Sequence, residues 1–172
     1  MTTQLTLVLG GIASGKSAQA EAMVRATQKP LIYLATAQAF DGEMQAKIAR
    51  HRIERGAGWR TIEEPLAVAE TLRAAPAGHA ILFDCATMWL TNHLLADHDL
   101  SVQRFDLLAA LTACASDVVI VSNEVGFAGV PENALARRFA NEQGVLNQSL
   151  ASQADRVILV TAGIAQTLKA PA

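Results

Sequence analysis

The octapeptide GGIASGKS at residues 10–17 follows directly on the apolar run LTLVL. A glycine, four residues and then Gly-Lys-Ser is the spacing of a phosphate-binding loop, whose backbone N–H groups surround the β-phosphate of a nucleotide. The helix that follows adds its positive N-terminal end. We therefore predict a strand–loop–helix unit that binds a nucleoside triphosphate; a glycine-rich turn that binds nothing is the alternative. The predicted contacts are Gly10, Gly11, Ile12, Ala13, Ser14, Gly15, Lys16 and Ser17, with Lys16 at the β- and γ-phosphates and Ser17 on Mg²⁺.

Short, nearly continuous apolar runs alternate along the chain with segments of helical periodicity. Such runs are typical of strands that are covered on both faces, as in a parallel sheet. The sequence predicts strands over residues 5–10, 31–36, 80–85, 117–125 and 156–163, with a weaker one at 59–63. It predicts helices over 16–27, 42–55, 65–75, 87–96, 102–115 and 132–153, and a frayed end at 168–172. This alternation indicates one domain over residues 1–172, with a three-layer α/β fold and a mostly parallel sheet.

Composition narrows the class of protein. The chain carries 14 basic and 16 acidic side chains, a net charge of −2, whereas a duplex nucleic-acid binder needs a strong basic excess. Its two cysteines show no repeated spacing, which favours reduced thiols over a disulfide framework. No apolar stretch approaches the length of a membrane span, and no basic segment precedes the first apolar run. We therefore expect a cytoplasmic protein with no nucleic-acid partner and no membrane span.

Polar residues end two of the predicted core strands. Asp84 closes the strand AILFD, and Asn123 and Glu124 close VIVSNE. Ligands of open α/β sheets bind outside the carboxyl ends of the strands, and a carboxylate there can hold Mg²⁺. Asp84 is thus a candidate magnesium ligand or, alternatively, an N-cap for the helix at 87–96 or a surface acid. Asn123 and Glu124 are candidates for a substrate or active-site loop or, alternatively, members of a turn network.

His51 lies at the centre of the basic segment KIARHRIER. On a helix over 42–55 it shares an apolar stripe with Met44 and Ile48, and cations stand one and four residues to either side. These cations attract phosphate oxygens and disfavour protonation of the imidazole, which keeps it nucleophilic. His51 is therefore a candidate nucleophile at phosphorus. An ordinary histidine on an amphipathic helix explains the same pattern.

Taken together, these segments resemble the bifunctional adenosylcobinamide kinase / adenosylcobinamide-phosphate guanylyltransferase family of cobalamin biosynthesis. The resemblance runs from Leu5 to Lys169 and rests on GGIASGKS, YLATAQAFDGEM, KIARHRIER, FDCATMWLTN, SNEVGFAGVPE and GVLNQSLASQAD. It implies a P-loop NTPase fold of RecA-like type and a homo-oligomer, with a trimer favoured. It also implies that His51 is the residue that is guanylylated. Further nucleotide contacts implied by the family are Leu34, Ala35, Thr36, Arg52, Ile53, Glu54, Arg55, Glu63 and Asp84.

The resemblance implies a two-step reaction on small molecules. Adenosylcobinamide is first phosphorylated by ATP or GTP with Mg²⁺, through Lys16, and GMP is then transferred from GTP through His51. A monofunctional P-loop small-molecule kinase and a RecA-like regulatory ATPase are the alternatives.

The chain departs from the family pattern at two places. Ala13 stands where the family often has arginine, so one basic phosphate contact is missing or comes from elsewhere. Ala128 stands where glycine is usual, with Gly129 one residue later. The flexible position of that loop is therefore expected to have moved by one residue.

Overall fold

The computed structural model describes residues 3–38 and 58–171. Its strands are β1 (Leu5–Gly10), β2 (Leu31–Ala35), β3 (Trp59–Glu63), β4 (Ala80–Asp84), β5 (Asp117–Asn123), β6 (Arg156–Thr161) and β7 (Ile164–Lys169). The described helices are α1 (Lys16–Ala26), α2 (Val68–Arg73), α3 (Ala86–Leu95), α4 (Leu100–Ala113) and α5 (Ala134–Gln153), with a short 3₁₀ turn at Gly126–Ala128. The helix predicted over 42–55 lies outside the described residues.

The seven strands of the described residues join one sheet in the order β3-β2-β4-β5-β1-β6-β7. Every neighbouring pair is parallel except β6 and β7, which are antiparallel. One strand, β5, separates the phosphate-loop strand β1 from β4, the strand that ends in Asp84. The predicted three-layer α/β fold with a mostly parallel sheet is confirmed.

The central strands are buried on both faces, which explains their continuous apolar sequences. Leu7 of β1 belongs to a core layer built with α2, α3, α4 and α5, whereas Val8 belongs to a second layer built with α1. Burying one such side chain fully stabilises the fold by roughly 1.5–3 kcal/mol relative to leaving it exposed. The alternation of side chains along each strand therefore fills both layers and holds the carboxyl ends of β1, β4 and β5 at one edge.

Two helices begin at side-chain caps rather than at the positions predicted. The carboxylate of Asp99 accepts the N–H groups of Ser101 and Val102, so α4 begins at Leu100 instead of 102. Asn133 caps α5 in the same manner, although the sequence predicted a start at 132. A side-chain oxygen that satisfies free N–H groups of the first turn fixes where a helix starts. The proline at 65 does not start α2, whose first residue is Val68.

The C-terminal strand prediction was wrong in its bounds. Residues 156–163 do not form one strand, because β6 ends at Thr161 and the chain reverses through Ala162 and Gly163 into β7. Both turn residues have positive φ, 51° and 79°, as the tight turns of two-residue hairpins require. The sequence predicted a frayed end at 168–172, but β7 continues to Lys169. The Lys169 ammonium group donates to backbone carbonyls at the end of α5.

None of the helices within residues 3–38 and 58–171 has both the length and the apolar character that crossing a membrane demands.

Candidate functional site

The phosphate loop lies between the end of β1 and the start of α1. Gly15 stands at the N-cap of α1 with φ 93° and ψ 4°, a left-handed conformation that glycine adopts without steric cost. The carbonyl of Gly11 accepts two bonds, from the Ser14 N–H at 3.3 Å and from the Lys16 ammonium at 3.1 Å. The loop is therefore closed on itself, with the Lys16 ammonium group held across it. The predicted strand–loop–helix unit is present, and nucleotide binding by the loop stays a prediction.

Glycine is required at position 10 because there is no room for a side chain, not because the backbone has a positive φ. A Cβ atom at this position would stand 2.4 Å from Ser14 Oγ and 2.7 Å from the carbonyl oxygen of Val160. The carbonyl is backbone and cannot move without shifting β6. At neighbouring Gly11 a Cβ atom would have no heavy atom within 4 Å. The first glycine of the loop thus serves close packing of the loop on β6.

Replacing Gly10 by alanine is expected to destabilise the protein by about 1–3 kcal/mol, the usual cost of forcing an extra carbon into a packed site. Thermal unfolding of Gly10→Ala should show a melting temperature several degrees below wild type. Gly11→Ala is the matched control, and its melting temperature should stay within about one degree. Equal melting temperatures for both variants would contradict this account of Gly10.

Asp84 ends β4 at the same edge of the sheet. It lies level with Ala35 of β2, and Ala35 in turn lies level with Glu63 of β3. The carboxylate of Asp84 accepts a hydrogen bond of 3.0 Å from the Tyr33 hydroxyl. The alternative of Asp84 as a helix cap is not what the structure shows, because Cys85 caps α3 through its sulfur, which accepts from the Met88 N–H.

The phosphate loop follows β1, and Asp84 ends β4 at the same edge of the sheet, with β5 between the two strands. Burial, and next the negative charge of Asp84, raise the pKa of the Cys85 thiol to about 11, and the positive charge of Lys16 partly opposes this rise. Cys85 therefore stays a protonated thiol at neutral pH. Because only the thiolate is nucleophilic, Cys85 is unreactive there. Lys16 and Asp84 thus bring one positive and one negative charge to the carboxyl edge of the sheet.

Ser17 and Asp84 are the described residues that fit a magnesium site. Ser17 belongs to the first turn of α1 and is half-buried, as is Asp84. No group of three or more His, Cys, Asp or Glu side chains in the described part of the chain could hold a metal by itself. One hydroxyl and one carboxylate suit Mg²⁺, which keeps several waters and takes its remaining ligands from substrate phosphates. The donor set present here is therefore compatible with a nucleotide-borne Mg²⁺.

Asn123 and Glu124 lie beside the phosphate loop. Asn123 is level with Gly10, and the Glu124 N–H donates to the Gly10 carbonyl at 3.0 Å. The Glu124 carboxylate accepts the Gly126 N–H at 2.6 Å, which is the turn contact that the alternative interpretation anticipated. Their role in binding a substrate stays a prediction.

A network of buried polar side chains on α3 and α5 holds the carboxyl end of β5. Asn147 of α5 donates to the carbonyl of Asn123 at 3.0 Å and accepts from the Ser122 hydroxyl at 2.7 Å. Gln143, one turn earlier on α5, donates to both Ser122 and Asn147 at 2.9 Å. Thr87 of α3 accepts the N–H of Asn123 at 2.8 Å. Two helices thereby hold the strand end that leads into Glu124.

The remaining family-implied nucleotide contacts lie in different surroundings. The Leu34 side chain is wholly buried in the core. Thr36 is also buried, and its hydroxyl donates to the Cys85 carbonyl at 2.7 Å and accepts the Cys85 N–H at 2.9 Å. Ala35 is half-buried and Glu63 is exposed at the end of β3. The side chains of Leu34 and Thr36 therefore pack inside the protein at the carboxyl end of β2. The nucleotide contacts predicted for these residues remain predictions.

The nucleophile prediction falls outside the described residues. Neither His51 nor the nucleotide contacts predicted from the same segment belong to the part of the chain that the structure describes; these contacts are Arg52, Ile53, Glu54 and Arg55.

Both departures from the family pattern fall at unusual backbone positions. Ala13 has φ 55° and Gly129 has φ 81°. The positive φ at Gly129 agrees with the expectation that the flexible position of the loop has moved to this residue. Ile12, next to Ala13, is 94% exposed at the tip of the phosphate loop.

Sequence reasoning missed three residues that contact the site. Tyr33, the only tyrosine of the chain, lies within an apolar strand pattern, and its hydrogen-bond partner Asp84 is 51 residues away. Gln19 of α1 and Gly163 of the β6–β7 turn contact each other at 3.3 Å beside the phosphate loop. No local pattern in the sequence indicates either pairing.

The crystal structure of the RadB recombinase is similar to this chain with a TM-score of 0.49 and 18% sequence identity; the alignment covers 91% of this chain and 73% of that chain. Closer similarity is found in sequence. The bifunctional adenosylcobalamin biosynthesis protein CobP of Pseudomonas aeruginosa is 47% identical over 95% of this chain and 96% of its own length. Proteins named CobU, with the same description, are 41% identical in Salmonella typhimurium and 37% identical in Escherichia coli, each over 96% of this chain and 99% of the relative.

The model of one protein family matches residues 6–168, nearly the whole chain, and its description is cobinamide kinase / cobinamide phosphate guanyltransferase. The match includes the phosphate loop, the strand that ends in Asp84 and the loop after β5. The chain therefore belongs to the cobinamide kinase / cobinamide phosphate guanyltransferase family.

Proposed function

We propose that this protein phosphorylates adenosylcobinamide with a nucleoside triphosphate and then transfers GMP from GTP to the product, through a guanylyl-histidine at His51. The observation that carries the proposal is the carboxyl edge of the sheet, in a chain that belongs to this family. There the closed phosphate loop with Lys16 follows β1, and Asp84 ends β4, one strand further along the sheet.

In the kinase step the phosphate loop binds the triphosphate, and the hydroxyl of the substrate's aminopropanol arm attacks the γ-phosphorus. A new P–O bond forms, the β–γ anhydride bond breaks, and the hydroxyl proton is released. Lys16 neutralises charge that develops on the transferred group, and the N-terminus of α1 stabilises the phosphates. Bound Mg²⁺ would supply further charge neutralisation at the phosphate oxygens, held on the protein side by Ser17 and Asp84.

In the nucleotidyl step the neutral imidazole of His51 attacks the α-phosphorus of GTP. A P–N bond forms, the α–β anhydride bond breaks and pyrophosphate leaves. A phosphate oxygen of phosphorylated adenosylcobinamide then attacks the same phosphorus, the P–N bond breaks, and His51 is regenerated. Splitting one displacement into two is the general gain of covalent catalysis. The arginines around His51 are proposed to hold the triphosphate during the first attack.

Two radiolabels test the proposal directly. Purified protein with adenosylcobinamide and Mg²⁺ should transfer label from γ-labelled ATP or GTP to the corrinoid. It should then transfer label from α-labelled GTP to the phosphorylated corrinoid. Transfer of γ-label alone would indicate a monofunctional kinase, and hydrolysis without transfer would indicate a regulatory ATPase.

Asp84 provides a test of the magnesium assignment. Asp84→Asn removes one negative charge from the proposed donor set, so the Mg²⁺ concentration for half-maximal phosphoryl transfer should rise about tenfold, which corresponds to about 1.4 kcal/mol. Asp97→Asn is the matched control: it makes the same change in charge beyond the far end of α3, and Asn tolerates the φ of 54° found there. An unchanged magnesium titration for Asp84→Asn would remove Asp84 from the site.

We further propose that the protein works in the cytoplasm as a homo-oligomer, with a trimer favoured. A corrinoid is large for a chain of 172 residues, and a site shared between subunits would bury more of it. Sedimentation at micromolar concentration tests this, and a fully active 18.2 kDa monomer would refute it.

A further inference from the structure

The β6–β7 turn lies against the phosphate loop and the first turns of α1. The Gly163 N–H donates to the Ser14 carbonyl at 2.8 Å, and the Gly163 carbonyl accepts the side-chain amide of Gln19 at 3.3 Å. A Cβ atom on Gly15 would stand only 3.2 Å from Gly163 Cα. Both backbone polar groups of Gly163 are therefore engaged by the loop and by the helix that follows it.

The bond to Ser14 determines how the next amide is directed. The Ser14–Gly15 peptide bond is trans, so its C=O and N–H groups point in opposite directions. Because Gly163 holds the Ser14 carbonyl toward the turn, the Gly15 N–H points away from the turn. Backbone N–H groups at this part of a phosphate loop are the donors that surround the β-phosphate. Fixing the carbonyl thus fixes one of those donors.

One residue of the turn, Ala162, has a backbone conformation that is unfavourable for alanine. Ala162 has φ 51°, a left-handed conformation that costs a non-glycine residue roughly 1–2 kcal/mol and that Asn or Gly would adopt more easily. Both faces of β7 are exposed, so packing of that strand contributes little to holding the turn in place. In addition to the pairing of β6 with β1, the hydrogen bonds of Gly163 with Ser14 and Gln19 join the turn itself to the phosphate loop and α1.

We propose that the β6–β7 turn is a positioning element for the phosphate loop, in which Gly163 and Gln19 hold the Ser14–Gly15 peptide with its N–H directed at the phosphates. This inference rests on the proposed function, in that Gly10–Ser17 must bind a triphosphate. It predicts that nucleotide binding and ordering of the turn are coupled. A ligand that needs the peptide in one orientation stabilises the contacts that produce that orientation.

The first experiment uses Gln19→Ala, with Gln166→Ala as the matched control. Gln166 is the same residue type, exposed in the middle of β7. Equilibrium dialysis should give a GTP dissociation constant about three- to tenfold higher for Gln19→Ala, the effect of one lost hydrogen bond, and unchanged for Gln166→Ala. The melting temperature of Gln19→Ala should stay close to wild type, which separates positioning from a general structural role.

The second experiment varies the turn and follows it by hydrogen exchange. In wild type, GTP should slow exchange of the turn amides at residues 161–164, and Gln19→Ala should lose most of this protection. Gly163→Val, which places a β-branched residue at φ 79°, should weaken GTP binding, and Gly163→Asn should restore it. Wild type that binds GTP without protecting the turn, or a Gln19→Ala variant with unchanged GTP affinity, would overturn the positioning role alone. Wild type that binds neither GTP nor ATP would overturn the proposed function and this inference with it.

Discussion

Replacing Lys16 by alanine should reduce phosphoryl transfer to adenosylcobinamide by at least about 10²–10³-fold, the usual effect of removing one donor that stabilises transition-state charge. In the structure the Lys16 ammonium group lies across the phosphate loop, 3.1 Å from the Gly11 carbonyl. A bound triphosphate offers oxygens that compete for this group. The loss should appear mainly in kcat, because charge on the transferred phosphoryl group develops during the reaction.

Lys29→Ala is the matched control for this prediction. Lys29 precedes β2 at the opposite edge of the sheet, where its ammonium group pairs with the Asp117 carboxylate at 2.6 Å. Both variants remove one lysine, yet only Lys16 lies at the proposed site. Initial rates at saturating nucleotide and Mg²⁺ are the measurement. Near wild-type turnover in Lys16→Ala would refute the assignment of the loop as the kinase site.

The architecture could be predicted because its strands are buried on both faces. Continuous apolar runs such as AILFD have no polar face to present to water, so they indicate central strands of a covered sheet. Even the weak candidate at 59–63 forms β3 at the sheet edge. The phosphate loop was equally predictable, because its glycines meet local demands: a positive φ at Gly15 and the close approach of Ser14 to Gly10.

The contacts that arrange the site could not be predicted, because they join segments far apart in the chain. Tyr33 meets Asp84 only after β2 and β4 have paired, and Gly163 meets Ser14 only after β6 has paired with β1. The hairpin itself was missed because alanine occupies a turn position at which sequence rules favour asparagine, aspartate or glycine. Tertiary packing therefore overrides the local preference at Ala162.

His51→Ala should abolish guanylyl transfer and leave phosphorylation of adenosylcobinamide at least partly intact. The γ-phosphoryl step depends on the phosphate loop, whereas the proposed covalent intermediate needs the imidazole nitrogen. With α-labelled GTP, wild type should retain label on a denaturing gel and His51→Ala should retain none. The label should resist alkali and leave in acid, as a phosphoramidate does, and γ-labelled GTP should leave no label on His51.

His79→Ala is the control for this prediction, since His79 directly precedes β4 at the opposite edge of the sheet from the phosphate loop. It should be labelled like wild type. Equal labelling of wild type and His51→Ala would exclude His51 as the nucleophile. If His51→Ala unfolds at the wild-type temperature but loses kinase activity as well, His51 serves nucleotide binding in both steps.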